Sequence, residues 1–444
     1  MDLNHEPALT ALKIASRLKE HGFLAYFAGG CVRDFLMRQN AEDVDIATTA
    51  RPEEMEKIFA KTIPVGRQFG VMIVVEQGRS FEVATFRREG GYDDGRHPSQ
   101  VSFTVPEEDA KRRDFTVNGL FFNPFEKKIL DYVGGQSDLQ KRLIRAIGDP
   151  RQRFAEDKLR LLRAVRFASS LDFEIEPETW KAICEKAGEI VQVSPERIRD
   201  ELVKILVRPG AARGFKLLSE SGLMKAILPE VEAMKGCQQP PDFHPEGDVF
   251  VHTGLLLEKL SHPAPVLALG ALFHDVGKPV TFSVKEGKIR FYEHAPVGAE
   301  MTRQIMKRLR FSNDEIEAVS ECVANHMKFA DVQKMRSGKL KQFVIRPTFP
   351  VELELHKIDC QSCHGMLDNY HFLKKKLEEY AREDLKPKPL INGNDLMTLG
   401  MKPGPAMKPL LEEVYVLQLE GRFKSREECL AWIRKKLQGS LGTK

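Results

Sequence analysis

Long hydrophobic runs are missing from this sequence. The longest, PVLALGALF at 265–273, is far short of the roughly 20 apolar residues that a membrane span requires, so no membrane association is expected. The opening residues MDLNHEP carry neither a basic stretch nor an apolar one, and no signal peptide is expected. Cysteine is sparse: seven in 444 residues, odd in number and scattered. That argues against a disulfide framework and fits a reducing cytoplasm. One cluster, CQSCH at 360–364, has the spacing of a c-type haem attachment site. That chemistry needs export, so Cys360 and Cys363 are expected to pack a helix instead. A strong charge of one sign is also absent. The net charge is +4, and residues 372–444 carry 15 Lys/Arg against 10 Asp/Glu, which leaves the rest close to neutral. The C-terminal stretch is thus either a surface for a polyanion or an ordinary solvated helical face. No internal repeat is visible, and no feature points to a protein partner.

What is present is enough for a sizeable core. The hydrophobic fraction is an ordinary 42%, and at roughly 150 residues per domain the chain accommodates about three domains. Residues 7–21 predict an amphipathic helix. AYFAGG (25–30) predicts a strand entering a glycine turn, VDIAT (44–48) a second strand, and VMIVVE (71–76) with FEVATF (81–86) a hairpin closed by QGRS. EGGYDDGRHPSQ (89–100) predicts a loop. From about 107 the pattern turns helical, apart from a strand near 128–133. PPDFHPEGD (240–248) and KPKP (386–389) mark boundaries. The expected class is α+β: a small mixed β-sheet unit over 1–149, then an all-helical remainder divided at 150–239, 240–385 and 386–444.

Chemistry concentrates first in GGCVRD (29–34) and EDVDI (42–46). Asp43 and Asp45, two apart on a predicted strand, project from one face. Carboxylates held together are costly unless a cation sits between them, and Mg²⁺ favours one or two such ligands plus substrate phosphates. The Gly29–Gly30 turn leaves room for a triphosphate, and Arg33 can hold a phosphate oxygen. Glu82, on the next hairpin, is a candidate third carboxylate, with a solvent-facing strand residue as the bland alternative. In KRRDFTVNGL (111–120), Arg112, Arg113 and Asp114 are expected to start a helix that brings Asn118 onto the face of Asp114.

These motifs, with DYVGGQSDL (131–139) and RFAEDKLRLLRAVRF (153–167), occur in an order that resembles the class II tRNA nucleotidyltransferases, the CCA-adding enzymes and their bacterial poly(A) polymerase relatives, within the polymerase-β-like superfamily. The resemblance covers residues 25–210 densely. It implies a head, neck, body and tail. It also implies metal binding at Asp43 and Asp45, and triphosphate contacts at Gly30, Arg33 and Arg113. The partners it implies are CTP, ATP and the 3′ end and acceptor arm of tRNA, with Mg²⁺ as cofactor. RQNAE (38–42) departs from the family's usual small-Pro stretch, which affects a turn rather than the chemistry.

Without a nucleic-acid template the protein must read the incoming base. FAEDKLRLLRAVRF (154–167) predicts one amphipathic helix. At about 100° per residue, Glu156, Arg160 and Arg163 share an arc, flanked by Asp157 and Arg166, with Leu161, Leu162, Val165 and Ala168 opposite. Cytosine and adenine each present an amino donor beside a ring-nitrogen acceptor. Asp157 only accepts and Arg160 only donates, so together they complement that edge and clash with guanine and uracil. The resemblance implies the same roles through an EDxxR motif, Glu156, Asp157 and Arg160, with Arg163 and Arg166 supporting base or phosphates. The plainer alternative is a helix laced with intrahelical ion pairs. The loop at 89–100, with Asp93, Asp94 and Arg96, is expected to help switch the pocket from C to A.

A second constellation spans 240–360: His252, the pair His274–Asp275, His294, His326 and Asp359. Imidazoles with carboxylates suit a transition-metal site with open positions. The pattern resembles the HD phosphohydrolase superfamily, which implies a metal-dependent phosphodiesterase or phosphatase acting on cyclic phosphates or damaged RNA ends. Met327 stands where a number of relatives have Asp. Lys278 is positioned to meet a phosphate, and a purely structural helical domain is the alternative. For the whole chain the leading expectation is CCA addition to tRNA. Addition of A alone, or an RNA-end hydrolase, are the other readings, and the EDxxR set does not separate the first two.

Overall fold

The computed structural model describes residues 5–39, 41, 43–90, 100–240, 247–381 and 387–440. Two compact units divide the chain, Met1–Glu232 and Ala233–Lys444. The switch-loop residues 91–99, most of PPDFHPEGD and the first residue of KPKP lie outside the described residues.

The first unit is organised by a seven-stranded mixed sheet. Its elements begin with α1 (Glu6–Glu20), β1 (Ala25–Ala28), α2 (Gly30–Leu36), β2 (Ile46–Thr48) and α3 (Pro52–Ile58). They continue with β3 (Thr62–Gly66), β4 (Val71–Glu76), β5 (Arg79–Thr85), the separate pair β6 (Arg87–Gly90) and β7 (Gln100–Phe103), α4 (Pro106–Lys111), β8 (Phe121–Asn123) and β9 (Lys128–Leu130). The strand order is β3-β4-β5-β2-β1-β8-β9. β2 runs parallel to β5, with Ile46 opposite Val83, and antiparallel to β1, with Ile46 opposite Phe27. Alternation along these strands sends Phe27, Ile46, Met72, Val74 and Val83 to one face, where Ala11, Ile14 and Leu18 of α1 seal them in. Each such fully buried side chain contributes about 1.5–3 kcal/mol. The other face carries the small residues Ala28, Ala47 and Ala84, which leave a cleft open above the sheet.

The hairpin is tighter than QGRS suggested. Gln77 and Gly78 both have positive φ (52° and 76°), which makes a two-residue turn, and β5 already starts at Arg79. The second strand is shorter than VDIAT: β2 begins at Ile46, and Asp43 and Asp45 precede it. Pairing nevertheless reaches back to Asp45, whose carbonyl accepts from Ala28 N–H at 3.0 Å.

After α5 (Gly135–Gln140) the first unit is mostly helical, with α6 (Pro150–Glu156), α7 (Arg160–Leu171), α8 (Pro177–Lys186) and α9 (Pro195–Leu206). Two helix expectations need correction. Arg112 caps the C-terminus of α4 instead of starting a helix, and a 3₁₀ turn at Thr116–Asn118 brings Asn118 to Asp114. The stretch 154–167 is two helices, because Asp157 leaves helical geometry (φ −143°, ψ 105°). Its carboxylate accepts Leu159 N–H at 3.1 Å, and its two oxygens accept from Arg197 Nη2 at 2.9 and 3.2 Å. These bonds compete with helix continuation, as a short acidic side chain readily does. The apolar side is as expected: Leu161, Leu162, Val165 and Ala168 are completely buried.

The second unit is helical around a core, but not all-helical. Phe282–Lys285 and Lys288–Phe291 form a hairpin through Glu286 and Gly287, both at positive φ. The alternating FSVK and KIRF around a two-residue turn favour it. Helices Val249–Lys259, Pro265–Phe273, His294–Arg308, Asn313–Asn325 and Phe349–Ser362 supply the second constellation. Toward the C-terminus, Leu396, Val414, Cys429 and Ile433 form a small core of their own. None of the seven cysteines is in a disulfide; Cys360 is buried beside His356 and Cys363 half-buried. Among the described residues no helix is long and apolar enough to cross a membrane.

Candidate functional site

The cleft of the first unit has a volume of about 680 Å³. It brings together Gly30, Arg33, Asp43, Asp45, Glu82, Arg113, Asp114, Asn118, Asp157, Arg160, Arg163 and Arg166. Sheet register explains the acidic edge. Ile46 lies opposite Val83, so the preceding residues Asp45 and Glu82 are neighbours on the open face. Asp45 borders the cleft and, on its other side, a recess lined by Ile73 and Ser80. Burial, then Glu82 and Asp43, push its carboxyl up to about 6 against the pull of Arg113. Among the described residues no ion pair neutralises this concentration of negative charge.

The rest of the cleft has the opposite character. Eight arginines line it against six carboxylates, and the three carboxylates away from the sheet edge are each paired with an arginine. Arg33 donates to Asp34 at 2.6 and 2.8 Å and to Asn118 Oδ1 at 2.6 Å. Asp114 accepts from Arg163 at 2.5 and 2.8 Å, from Asn118 Nδ2 at 3.1 Å and from Phe115 N–H. Burial would raise Asp114, but Arg163 and Asn118 outweigh it and hold the carboxyl down to about 2. The guanidinium groups of Arg33, Arg163 and Arg166 gather around the Phe167 ring at 5.3, 5.3 and 4.1 Å. Like charges stacked on one ring suit a polyanionic ligand. Gly29 is required where it stands: its φ is +72°, and a Cβ there would lie 2.8 Å from Arg113 Nη1.

The break after α6 turns Asp157 toward the cleft, and Arg160 opens α7 beside it. Arg160 is buried and spends three N–H groups, on Arg153 O (2.9 Å), Glu156 Oε2 (2.9 Å) and Arg112 O (3.1 Å). A guanidinium has five, so donors remain for a ligand. Glu156 does not line the cleft; it stands behind, holding Arg153 and Arg160. Several supporting residues were not found from the sequence. Arg197 fixes Asp157, buried Glu201 fixes Arg166 at 2.6 Å, and buried Asp109 fixes Arg112 and Arg113. Arg197 and Glu201 lie four apart in PERIRDELVK on α9, a spacing that hints at one face but names no distant partner.

In the second unit all six residues of the constellation converge as two groups: His252, His274 and Asp359, and Asp275, His294 and His326. His274, His294 and His326 each turn Nδ1 to a backbone carbonyl three residues earlier, at 2.9, 2.9 and 2.7 Å. Nε2 is thereby presented inward. His294 Nε2 and His326 Nε2 are 3.2 Å apart, and His274 Nε2 is 3.1 Å from Asp275 Oδ2. Burial lowers His326 to about 4 and lowers His294 as well, which favours the uncharged form of both rings. Asp275 is held well below the usual carboxylate range by His274 and Lys278 in spite of its burial. Lys278 Nζ donates to Asp275 at 2.6 Å and to Gln239 at 2.6 Å. Gly277 permits this assembly, since a Cβ there would run into the His294 carbonyl and Gly298. A cavity of about 610 Å³ opens on His294, His326 and Asp359.

Three families match in series: the Poly A polymerase head domain over residues 25–145, the probable RNA and SrmB-binding site of polymerase A over 172–235, and the HD domain over 249–358. A CCA-adding enzyme of Lactobacillus gasseri is 33% identical over 429 residues, 95% of either chain. One from Bacillus licheniformis is 47% identical over 228 residues, which is 51% of this chain and 57% of that enzyme. The crystal structure of the Bacillus stearothermophilus CCA-adding enzyme in complex with CTP matches at a TM-score of 0.75 and 28% identity, over 99% of this chain and 100% of that one.

Proposed function

The chain belongs to the family of CCA-adding enzymes, the tRNA nucleotidyltransferases, and from that premise we propose that its first unit adds C and A to the 3′ end of tRNA, consuming CTP and ATP and releasing pyrophosphate. One observation carries this reading: a carboxylate trio and the Asp157–Arg160 pair face one arginine-lined cleft. The RNA 3′-hydroxyl gives up its proton to solvent water and bonds to the α-phosphorus. The bond from that phosphorus to the bridging oxygen breaks, and pyrophosphate departs with the electron pair. Arg33, Arg113 and Asn118 hold the triphosphate, with Arg163 and Arg166 neutralising charge around it. Asp157 accepts from the amino group shared by cytosine and adenine, and Arg160 donates to the ring nitrogen beside it. Arg197 and the carbonyls of Arg112 and Arg153 fix both, so the protein serves as the template.

The trio of Asp43, Asp45 and Glu82 fits a hard divalent cation, because three oxygen-donor carboxylates stand together there and burial, with Glu82 and Asp43, pushes Asp45 up. Mg²⁺ held there would supply charge stabilisation for the attacking and leaving oxygens. The division that accompanies this reading is a head over 1–149, a base-reading neck over 150–239, an HD-type domain over 240–385 and an RNA-contacting tail over 386–444. The compartment is the cytoplasm. The test uses tRNA lacking CCA, tRNA ending in CC, and a generic RNA, each with CTP and ATP separately. C incorporation on the first and A on the second are expected. A incorporation alone on all three contradicts CCA addition.

For the second unit we infer a metal-dependent phosphohydrolase. Its support is the set of imidazoles turned inward, with the Nε2 atoms of His294 and His326 facing each other at 3.2 Å. Two acceptor lone pairs at that distance fit a transition-metal ion, and the backbone bonds at Nδ1 fix the ligating tautomer. His252, His274 and Asp359 would hold one ion, and Asp275, His294 and His326 are placed for a second. Lys278 is stationed to receive a phosphate oxygen.

A further inference from the structure

Lys278 is buried, and its ammonium is held on two sides. It donates to Asp275 Oδ2 at 2.6 Å and to Gln239 Oε1 at 2.6 Å, with the centre of the Phe291 ring 5.4 Å away. Asp275 turns its other oxygen, Oδ1, to the Nε2 atoms of His294 and His326, at 3.6 and 3.7 Å. The bond to Lys278 at Oδ2 therefore leaves that candidate metal group intact. An ammonium has three N–H donors. Two fixed acceptors set the direction of the third, and Lys278 lines the cavity that opens on His294, His326 and Asp359.

Gln239 gains little else from its place. Its side chain is buried, and lysine only donates, so the amide oxygen must face Nζ. Nε2 is then left buried and, among the described residues, without a hydrogen-bond partner. An orphaned buried donor costs stability, which marks a group kept for another purpose. The backbone beneath it is firmly pinned. Gln239 N–H donates to Gly247 O at 2.7 Å, Gln238 bridges to Asp248, and Asp248 caps the helix Val249–Lys259 that carries His252. The amide is thus anchored to the framework that holds the metal-ligand candidates.

We propose that Gln239 is a positioning residue of the second centre: it aims the third N–H of Lys278 at a non-bridging phosphate oxygen and does not itself touch the substrate. The inference rests on the phosphohydrolase reading above. Without Gln239 the ammonium keeps Asp275 as its one fixed acceptor and pivots about it, so its donor is no longer held where the phosphate arrives.

A double-mutant cycle in the Mn²⁺-loaded full chain, with bis(p-nitrophenyl) phosphate as substrate, tests this. Methionine replaces either side chain at nearly constant volume, so Gln239→Met and Lys278→Met keep the packing. Gln239→Met should lower kcat/KM about tenfold and Lys278→Met about 10²-fold, with bound Mn²⁺ equal to that of the wild type by elemental analysis. The double variant should be no worse than Lys278→Met, because Gln239 acts through Lys278. Calorimetric titration with inorganic phosphate should show the same pattern in affinity, with no hydrolysis involved. Wild-type behaviour of Gln239→Met, a double variant about tenfold worse than Lys278→Met, or loss of Mn²⁺ from Gln239→Met would overturn the proposal. A wild type that hydrolyses no phosphodiester would instead overturn the phosphohydrolase reading, and the phosphate titrations would then decide the role of Gln239.

Discussion

The two units handle charge in opposite ways. In the cleft the candidate metal ligands are carboxylates at a strand edge, and Asp45 is pushed up to about 6 because burial and two acidic neighbours act together. In the second unit the groups are largely buried imidazoles, two of which, His294 and His326, burial holds below their usual range, around an aspartate held well below its own. Open oxygen donors suit a hydrated Mg²⁺ that shares its shell with phosphates. Enclosed nitrogen donors suit a transition ion held mainly by protein. The functions proposed above therefore assign two phosphate chemistries to different ligand sets, transfer to a hydroxyl in one and hydrolysis in the other.

Single substitutions should break one half of this contrast and spare the other. The largest effect is expected from Asp45→Ala, which should lower nucleotide incorporation on the order of 10³-fold or more while leaving hydrolysis of a simple phosphodiester intact, measured on the same preparation. A parallel loss of both activities would mean the centres are not independent. His274→Ala should do the reverse. Elemental analysis should find less bound transition metal than in the wild type, with C and A incorporation unchanged; equal metal content would remove the second centre from the account. The smallest effect concerns Asp114, whose folded value of about 2 lies below the ordinary 3.8. A depressed carboxyl contributes stability that is complete above about pH 4 and is lost as the pH falls through about 2, here on the order of 2 kcal/mol. Urea titrations should show Asp114→Asn less stable than wild type at pH 6, with the gap closing toward pH 2. A gap independent of pH would deny the Arg163–Asp114 pair its electrostatic role.

Much of the cleft was legible in the sequence because its elements are local. GGCVRD carries a turn and a cation within six residues, and EDVDI carries the acids at strand spacing. Position on the sheet then did the assembly, bringing Glu82 beside Asp45 through a register no local pattern states. The opening of α7 was misread for a physical reason. Periodicity favoured one helix over 154–167, but Asp157 finds better partners in Leu159 N–H and Arg197, forty residues away. The same blindness to distant partners hid Glu201 behind Arg166 and Asp109 behind Arg113. The histidines of the second unit were legible by type and order. Their backbone bonds at Nδ1, and the hairpin at 282–291 within an otherwise helical unit, were not.

The central claim is that side chains, not a nucleic-acid template, choose the base, and Arg160→Ala tests it most directly. Incorporation from each of the four nucleoside triphosphates is measured on tRNA lacking CCA, with the wild type as reference. The preference for C over U, and for A over G on tRNA ending in CC, should fall by on the order of 10²-fold or more, with residual incorporation retained because the carboxylate trio is untouched. A variant that still prefers C and A as strongly as the wild type would return Arg160 to a purely structural ion pair with Glu156.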